Sequence, residues 1–445
     1  MITAEQNEYL TRVGPGAPMG TLFRRYWLPV LLADELPEPD CAPVRVKLLG
    51  ERLLAFRDTQ GRLGLIGEFC AHRGVSLWFG RNEEDGIRCP YHGWKYDVTG
   101  QCVDVPSEPA ENGFCSRIRL TSYPLIERGG VIWAFLGPPE LKPEAPGYDW
   151  TRVAPAQRYV SKRLQECNWL QAMEGAVDSI HSGFLHRYSV GDDPLLKRDP
   201  ESLAMLRGDP KPKFFPTDSP GGLYVSTRRN AGSDRFYWRI TQWLMPSFSF
   251  FPPYGDNPYG GHAFVPIDDQ SCWTFSIDYH PHRLLTETEL TAMHDGKGIH
   301  VRLVEGTFTP VANRRNGYLM DRAAQKAKKT FSGVFDVGVQ DAAVQESMGL
   351  IQERARENLV SSDNNIIMAR RRLMDAVGEV ARGVAPPGLD PLVQRARAVS
   401  MVVPRELPLL DAIAQEFAGL GCGKLLRARK KIESPRPRSR GRGLG

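Results

Sequence analysis

No run of apolar residues in this 445-residue chain is long. The longest near its middle, residues 131–136, falls far short of the roughly 20 that span a bilayer. No basic segment followed by an apolar one stands near Met1, so no secretory signal is visible and the cytoplasm is the expected compartment. Of the eight cysteines, Cys41, Cys102, Cys115, Cys167, Cys272 and Cys422 form no ligand or disulfide spacing, which is the pattern of reduced thiols. A dinucleotide or flavin fingerprint is missing too. Gly14, Gly16 and Gly20 lie in a Gly/Pro turn with the wrong spacing and no strand before it. Nor is there an internal repeat. An excess of one charge is absent from most of the chain. The net +5 arises in the tail, where nine Lys/Arg against Glu433 carry +8 and leave residues 1–423 at −3. That balance gives no nucleic-acid-binding body, and the Arg/Pro/Ser/Gly tail of residues 424–445 reads as solvated and disordered.

What is present is a chain long enough for two or more domains, 41% hydrophobic and 24% charged. After a lead-in segment (residues 1–25), residues 26–137 show short strands punctuated by Gly and Asp turns, such as residues 44–49, 52–57 and 63–66 around Asp58-Thr59-Gln60-Gly61. This pattern predicts a small antiparallel β domain. The Pro/Gly-rich residues 138–150 read as a linker. Beyond it, residues 151–423 carry a helix-like stretch (159–185), several strand-like pieces between 223 and 282, and helices expected near 341–359 and 364–380. A large antiparallel sheet with helices makes this part α+β.

Two motifs carry chemistry. Cys70-Ala71-His72 and, after sixteen intervening residues, Cys89-Pro90-Tyr91-His92 each pair one thiolate with one imidazole, and each is followed by a glycine, Gly74 and Gly93. Two Cys and two His also suit zinc, but a zinc finger usually pairs Cys with Cys and His with His. One of each per loop fits a Rieske [2Fe–2S] centre, in which one iron takes both thiolates and the other both imidazoles. Val75 and Tyr91 stand where high-potential Rieske proteins carry a loop-linking disulfide.

The second motif runs from Asn168 to His186. Gln171, Glu174, Asp178 and His181 recur three or four apart among apolar residues, as one face of a buried helix would. His181 and His186 flank Gly183, where a bend would turn both toward one ion. A carboxylate would complete the facial triad of a non-haem Fe(II) site. Asp341 and Glu346 are the candidates, with a helix N-cap as the competing reading of Asp341. Asp178 is placed to hydrogen-bond a ligand imidazole.

From residue 5 to about 420, these motifs resemble the oxygenase (α) subunits of Rieske non-haem iron aromatic-ring hydroxylases. The likeness is to the branch containing phthalate 4,5-dioxygenase and phenoxybenzoate dioxygenase, and it includes Asn7-Glu8-Tyr9-Leu10-Thr11-Arg12-Val13-Gly14 and Arg25-Tyr26-Trp27. The resemblance implies an all-β Rieske domain followed by a helix-grip (START-like) catalytic domain. It implies that Cys70, His72, Cys89 and His92 hold the cluster. His181, His186 and Asp341 would hold a mononuclear Fe(II), with Asn168 near the iron. Asp178 would bridge to a neighbouring subunit's cluster in a homotrimer or stacked trimers. It further implies O₂ as co-substrate and a separate flavin/iron-sulfur reductase delivering electrons from NAD(P)H. Substrates in this branch are often aromatic carboxylates, which makes Arg207 and Arg239 candidate binders. The implied reaction is cis-dihydroxylation of a phthalate- or phenoxybenzoate-type acid, or O-demethylation or ether cleavage of an alkoxybenzoate. A Rieske electron carrier without oxygenase chemistry is the reading from another class.

Overall fold

The computed structural model describes residues 2–188, 193–209 and 211–418, with the side chains of all of these except Ala110 and Arg207. The basic tail and Cys422 lie outside the described residues, and the seven described cysteines are free. No helix among the described residues is long and apolar enough to cross a membrane.

Hairpin chemistry builds the first lobe. The expected Asp58–Gly61 turn forms, with Asp58 Oδ1 accepting the N–H groups of Gln60 and Arg62 at 3.1 and 2.7 Å. It joins Glu51–Arg57 to Leu63–Gly67 in a three-stranded antiparallel sheet whose third member is Val44–Leu48. A second sheet pairs Trp27–Leu32 with Val131–Phe135 and then Leu125–Arg128. A third, of four short strands from Arg81–Glu83 to Cys102–Asp104, carries the second Cys/His loop between its members. Beneath the two loops lies a small core of its own, including Leu54, Phe56, Ile66, Leu77, Ile87 and Tyr96.

The second lobe is an eight-stranded antiparallel sheet. Its path runs from Arg158–Gln165 through Cys272–Tyr279, Tyr259–Pro266, Phe248–Phe251, Arg235–Leu244 and Gly222–Ala231 to Lys213–Ser219. Val399–Pro404 pairs with the first half of Arg235–Leu244, whose second half pairs with Phe248–Phe251. The helices Trp169–Val177, Val337–Ser347 and Asn364–Ala381 belong to the same lobe.

Two expectations need correcting. The stretch 159–185 is not one helix. Its first part is the strand Arg158–Gln165, which takes eight consecutive partners on Cys272–Tyr279, and the helix starts only at Trp169. The helix expected at 341–359 instead spans Val337–Ser347. Asp341 therefore sits inside it, and the N-cap position belongs to Asp336.

One main core joins the lobes. It includes Leu10, Leu28, Trp133, Trp169, Phe248 and Leu373. Residues 138–150 are no loose spacer at their C-terminal end. Tyr148 and Trp150 are fully buried and stack on Trp133, with Tyr148 4.5 Å from Phe248. A buried ion pair adds to the junction. Lys162 on the large sheet reaches Glu35 at 2.7 Å and the Val30 carbonyl at 3.3 Å.

Candidate metal centres

The two Cys/His loops are built alike. In each, the cysteine N–H donates to the carbonyl five residues on (Cys70 to Val75, 2.9 Å; Cys89 to Trp94, 2.8 Å). The glycine N–H then returns to the cysteine carbonyl (Gly74 to Cys70, 2.9 Å; Gly93 to Cys89, 3.0 Å). Gly74 and Gly93 have φ of +73° and +77°, a region that side chains disfavour. The loops point Cys70 and Cys89 inward, buried, while His72 and His92 stand exposed with ring centroids 4.4 Å apart. His72 stacks on Trp94 at 4.6 Å. Burial, with Cys70 beside it, pushes the Cys89 thiol up, so a pair of thiolates here needs positive charge between the sulfurs. An inner thiolate pair and an outer imidazole pair are the donor set of a Rieske [2Fe–2S] cluster.

The second centre forms where the Trp169–Val177 helix stops. Asp178 is its C-cap and accepts the Ile180 N–H at 2.7 Å, which turns the chain out of the helix. His181 opens a 3₁₀ turn, His181–Gly183, and His186 follows in the next turn. Asp341 approaches from the Val337–Ser347 helix. Its Oδ1 lies 3.1 Å from His186 Nε2 and 3.6 Å from His181 Nε2, and the three ligand atoms fall within 4.8 Å of one another.

The proton positions show what this cluster lacks. Gln340 Nε2 donates to the Val334 carbonyl, so its Oε1 faces His186 Nδ1 at 2.7 Å and accepts a proton from it. His186 Nε2 then presents a lone pair to the Asp341 carboxylate, an acceptor against an acceptor. Asp341 Oδ1 is buried with no hydrogen bond of its own. Burial alone would raise the Asp341 carboxyl, and a proton on His186 Nε2 or His181 holds it well below its ordinary value, so the carboxylate calls for a cation where the neutral imidazole leaves none. Burial lowers His181, while Asp178, 3.7 Å from its Nδ1, and Asp341 together raise it. Two imidazoles and one carboxylate with an open side fit a non-haem Fe(II).

Comparison with known proteins agrees with this geometry. Residues 26–124 match the Rieske [2Fe-2S] domain family, and residues 134–409 match the family described as LigXa C-terminal domain like. Phthalate 4,5-dioxygenase oxygenase subunit of Pseudomonas putida is 37% identical, over 87% of this chain and 89% of its own length. 3-Chlorobenzoate-3,4-dioxygenase oxygenase subunit of Comamonas testosteroni is 33% identical, over 94% of this chain and all of its own. The chain belongs to the Rieske non-haem iron oxygenases. Its fold is also that of dicamba monooxygenase bound to dicamba, with a TM-score of 0.56 at 20% identity, covering 81% of this chain and 98% of that one.

In this oxygenase the mononuclear site opens on a cavity of about 260 Å³. Apolar walls come from Val225, Phe251, Phe264 and Ile299, and Arg239 lines it as well. The structure also places there residues that sequence reading passed over, namely Arg198, Arg229, Tyr254 and His262. Ser276 Oγ donates to the Ile299 carbonyl at 3.0 Å, so His262 Nδ1, 3.2 Å from that oxygen, is the donor between them. Burial pushes the His262 pKa down to about 3, and the ring enters the cavity neutral. For Arg229 a sequence signal existed, since Val225, Thr227 and Arg229 alternate along one strand and share its cavity face.

Other residues singled out from the sequence do not join this cluster. Glu346 accepts from Tyr318 Oη at 2.7 Å and from the Glu166 N–H at 3.0 Å, away from the histidines. Asn168 is not near the iron ligands. It caps the start of the nine-residue Trp169–Val177 helix, and its Nδ2 donates to the carbonyls of Thr11 and Asp269 at 2.9 and 2.7 Å. Ten residues of helical rise put it about 15 Å from Asp178. Gln171 and Glu174, read as one face with His181, turn instead to Gln345 and Gly349 carbonyls and to two buried arginines. Arg207 falls in the Pro200–Gly208 helix, but its side chain is outside the described set.

Proposed function

We propose that this chain is the terminal oxygenase of a multicomponent system, acting in the cytoplasm on an aromatic carboxylate of the phthalate or phenoxybenzoate type. The observation that carries the reading is a His181–His186–Asp341 triad opening on an apolar-walled cavity that also holds arginines. The relatives' names, phthalate and 3-chlorobenzoate dioxygenase subunits, support the substrate class. Residues 26–137 would form the electron-receiving domain and residues 151–423 the catalytic one. A [2Fe–2S] cluster at Cys70, His72, Cys89 and His92 and an Fe(II) at the triad would together supply reductive activation of O₂.

The protein's own part is positioning. Gln340 fixes the His186 tautomer, and Asp178 lies 3.7 Å from His181 Nδ1, a charge beside a ring nitrogen that has no hydrogen bond. His262 stays neutral beside the substrate, and the apolar wall limits water around the ring. Asp178 keeps a quarter of its side chain exposed, and His72 and His92 are exposed on the other lobe. These two features suit electron transfer from one subunit's cluster to its neighbour's iron in a trimer, with reducing equivalents from a separate reductase. The test supplies a generic flavin/iron-sulfur reductase and NADH and screens phthalate isomers, phenoxybenzoates and alkoxybenzoates. Coupled O₂ uptake with a cis-dihydrodiol product supports ring dihydroxylation, and a liberated phenol supports dealkylation or ether cleavage. No substrate-dependent uptake with any aromatic acid contradicts the proposal.

A further inference from the structure

We infer that Arg229 and Arg198 bind the carboxylate of the substrate, and that Arg239 is a positioning residue acting through Tyr254. This rests on the aromatic-carboxylate reading above and names the residues that recognise the anion.

Arg239 is already occupied. One terminal nitrogen reaches Tyr237 Oη, the Pro253 carbonyl and Ser400 Oγ at 3.4, 3.0 and 3.0 Å, and the other donates to the Pro252 carbonyl. Its flat face lies 3.7 Å from the centroid of the Tyr254 ring. A guanidinium has five N–H donors, and one held by backbone carbonyls and stacked on a ring has little left for a ligand. It pins the Pro252-Pro253-Tyr254 turn to the sheet.

Arg229 and Arg198 are in the opposite condition. Both line the cavity, and in each Nε is buried without a hydrogen-bond partner. Neither makes an ion pair among the described residues. The nearby acids do not pair with them. Asp209 Oδ2 accepts both the N–H and the Nδ2 of Asn230 at 2.8 Å, and Asp199 Oδ1 caps the Pro200–Gly208 helix through Ser202 N–H while its Oδ2 has no partner. Arg198 lies 5.3 Å from the Tyr254 centroid, on the ring that Arg239 stacks against. Three guanidiniums thus surround one phenol. Burial would raise the Tyr254 hydroxyl, yet Arg239, Arg198 and Arg229 together, Arg198 also as a hydrogen-bond donor to it, bring it below its ordinary value. Burial also lowers Arg229 itself, which marks a cation short of a partner. A positive, partly desolvated wall with free N–H donors binds a planar carboxylate through paired hydrogen bonds, and the apolar walls take the ring that carries it.

The test measures binding rather than turnover. Equilibrium dialysis of benzoate, phthalate and the neutral isostere benzamide is run on the purified, cluster-loaded oxygenase without reductase. Wild type is expected to prefer benzoate or phthalate to benzamide. Arg229→Met and Arg198→Met should each weaken benzoate by about tenfold or more, as loss of charged hydrogen bonds does, with benzamide unchanged. Arg229→Lys should recover part of the loss, and Arg239→Met should weaken both ligands alike. Cluster absorbance and thermal melting show whether each variant is folded, and Arg229→Lys keeps the comparison available if Arg229→Met is not. Equal loss of benzoate and benzamide in the Arg229 variants, or an anion-selective loss confined to Arg239→Met, overturns the inference. If wild type prefers the anions but shows no substrate-dependent O₂ uptake, the oxygenase reading fails and the anion site stands. If it shows uptake but no preference for the anions, the anion site fails alone.

Discussion

Tyr96 lies 3.3 Å from the Cys70 sulfur and accepts the Ala71 N–H at 3.1 Å, so its own proton is directed at the sulfur. A hydrogen bond to a cluster sulfur favours the more negative, reduced state and raises the reduction potential. Tyr96→Phe should therefore lower the cluster midpoint by about 60 mV, the one-electron equivalent of a ~1.4 kcal/mol hydrogen bond. A spectroelectrochemical titration checks this, and an unchanged midpoint contradicts it. At this scale the sequence was most informative where ligands are close in the chain. Cys70 and His72, Cys89 and His92, and His181 and His186 each lie within a few residues of one another. The carboxylate was not decidable by spacing. Asp341 and Glu346 are five residues apart on a helix, which turns them about 140° from each other, and only the helix's placement shows which one faces the histidines. Arg198 and Arg239 come from distant parts of the chain to the same Tyr254 ring, a meeting that no local pattern announces.

The Trp169–Val177 helix is held by a charged cluster in the interior. Glu174 lies 2.8 Å from Arg354 and 2.6 Å from Arg370, and all three are nearly fully buried. Removing one partner of a buried network leaves uncompensated charge, so Glu174→Ala should destabilise the protein by about 3–5 kcal/mol, read by urea denaturation. A loss under 1 kcal/mol would show that the network is not what fixes this helix. The pH dependence has a definite sign. Burial would raise the Glu174 carboxyl, but the two arginines hold it below its ordinary value. Its contribution is then fully present above the unfolded-state value of about 4.3 and is lost as pH falls through the lower folded value. Glu174→Gln should accordingly flatten the acid limb of the stability profile, a change visible in melts between neutral and acidic pH. Strands and hairpins of the first lobe were legible because turn residues mark them locally. The helix bounds were less so. Periodicity continued through 159–165, but pairing with Cys272–Tyr279 overrode it, and the Asp178–Ile180 hydrogen bond ended the helix before His181.

For the whole molecule, the continuous core from Leu10 through Trp133 to Leu373 makes the two lobes one packed unit. The exposed histidines of one lobe and the partly exposed Asp178 of the other are the groups that the proposed transfer between subunits would bring together. If electrons cross between subunits, mixing an iron-deficient chain (His181→Ala) with a cluster-deficient one (His72→Ala), unfolding and reassembling them together, should restore product formation that neither has alone. Reassembled mixtures as inactive as the separate chains would argue for transfer within one chain. The α+β architecture could be read from the order of strand-rich and helix-rich stretches, whereas the burial of Tyr148 and Trp150 could not, because Pro/Gly density signals irregular backbone and not exposure. The central claim is that the Cys70–His92 loops deliver electrons and the His181–His186–Asp341 site performs the chemistry. It is tested most directly by His181→Ala supplied with reductase, NADH and a turned-over aromatic acid, with product and the reduced-cluster EPR signal followed in one sample. The account predicts that product disappears while the cluster is still reduced with an unaltered signal, and undiminished turnover would contradict it.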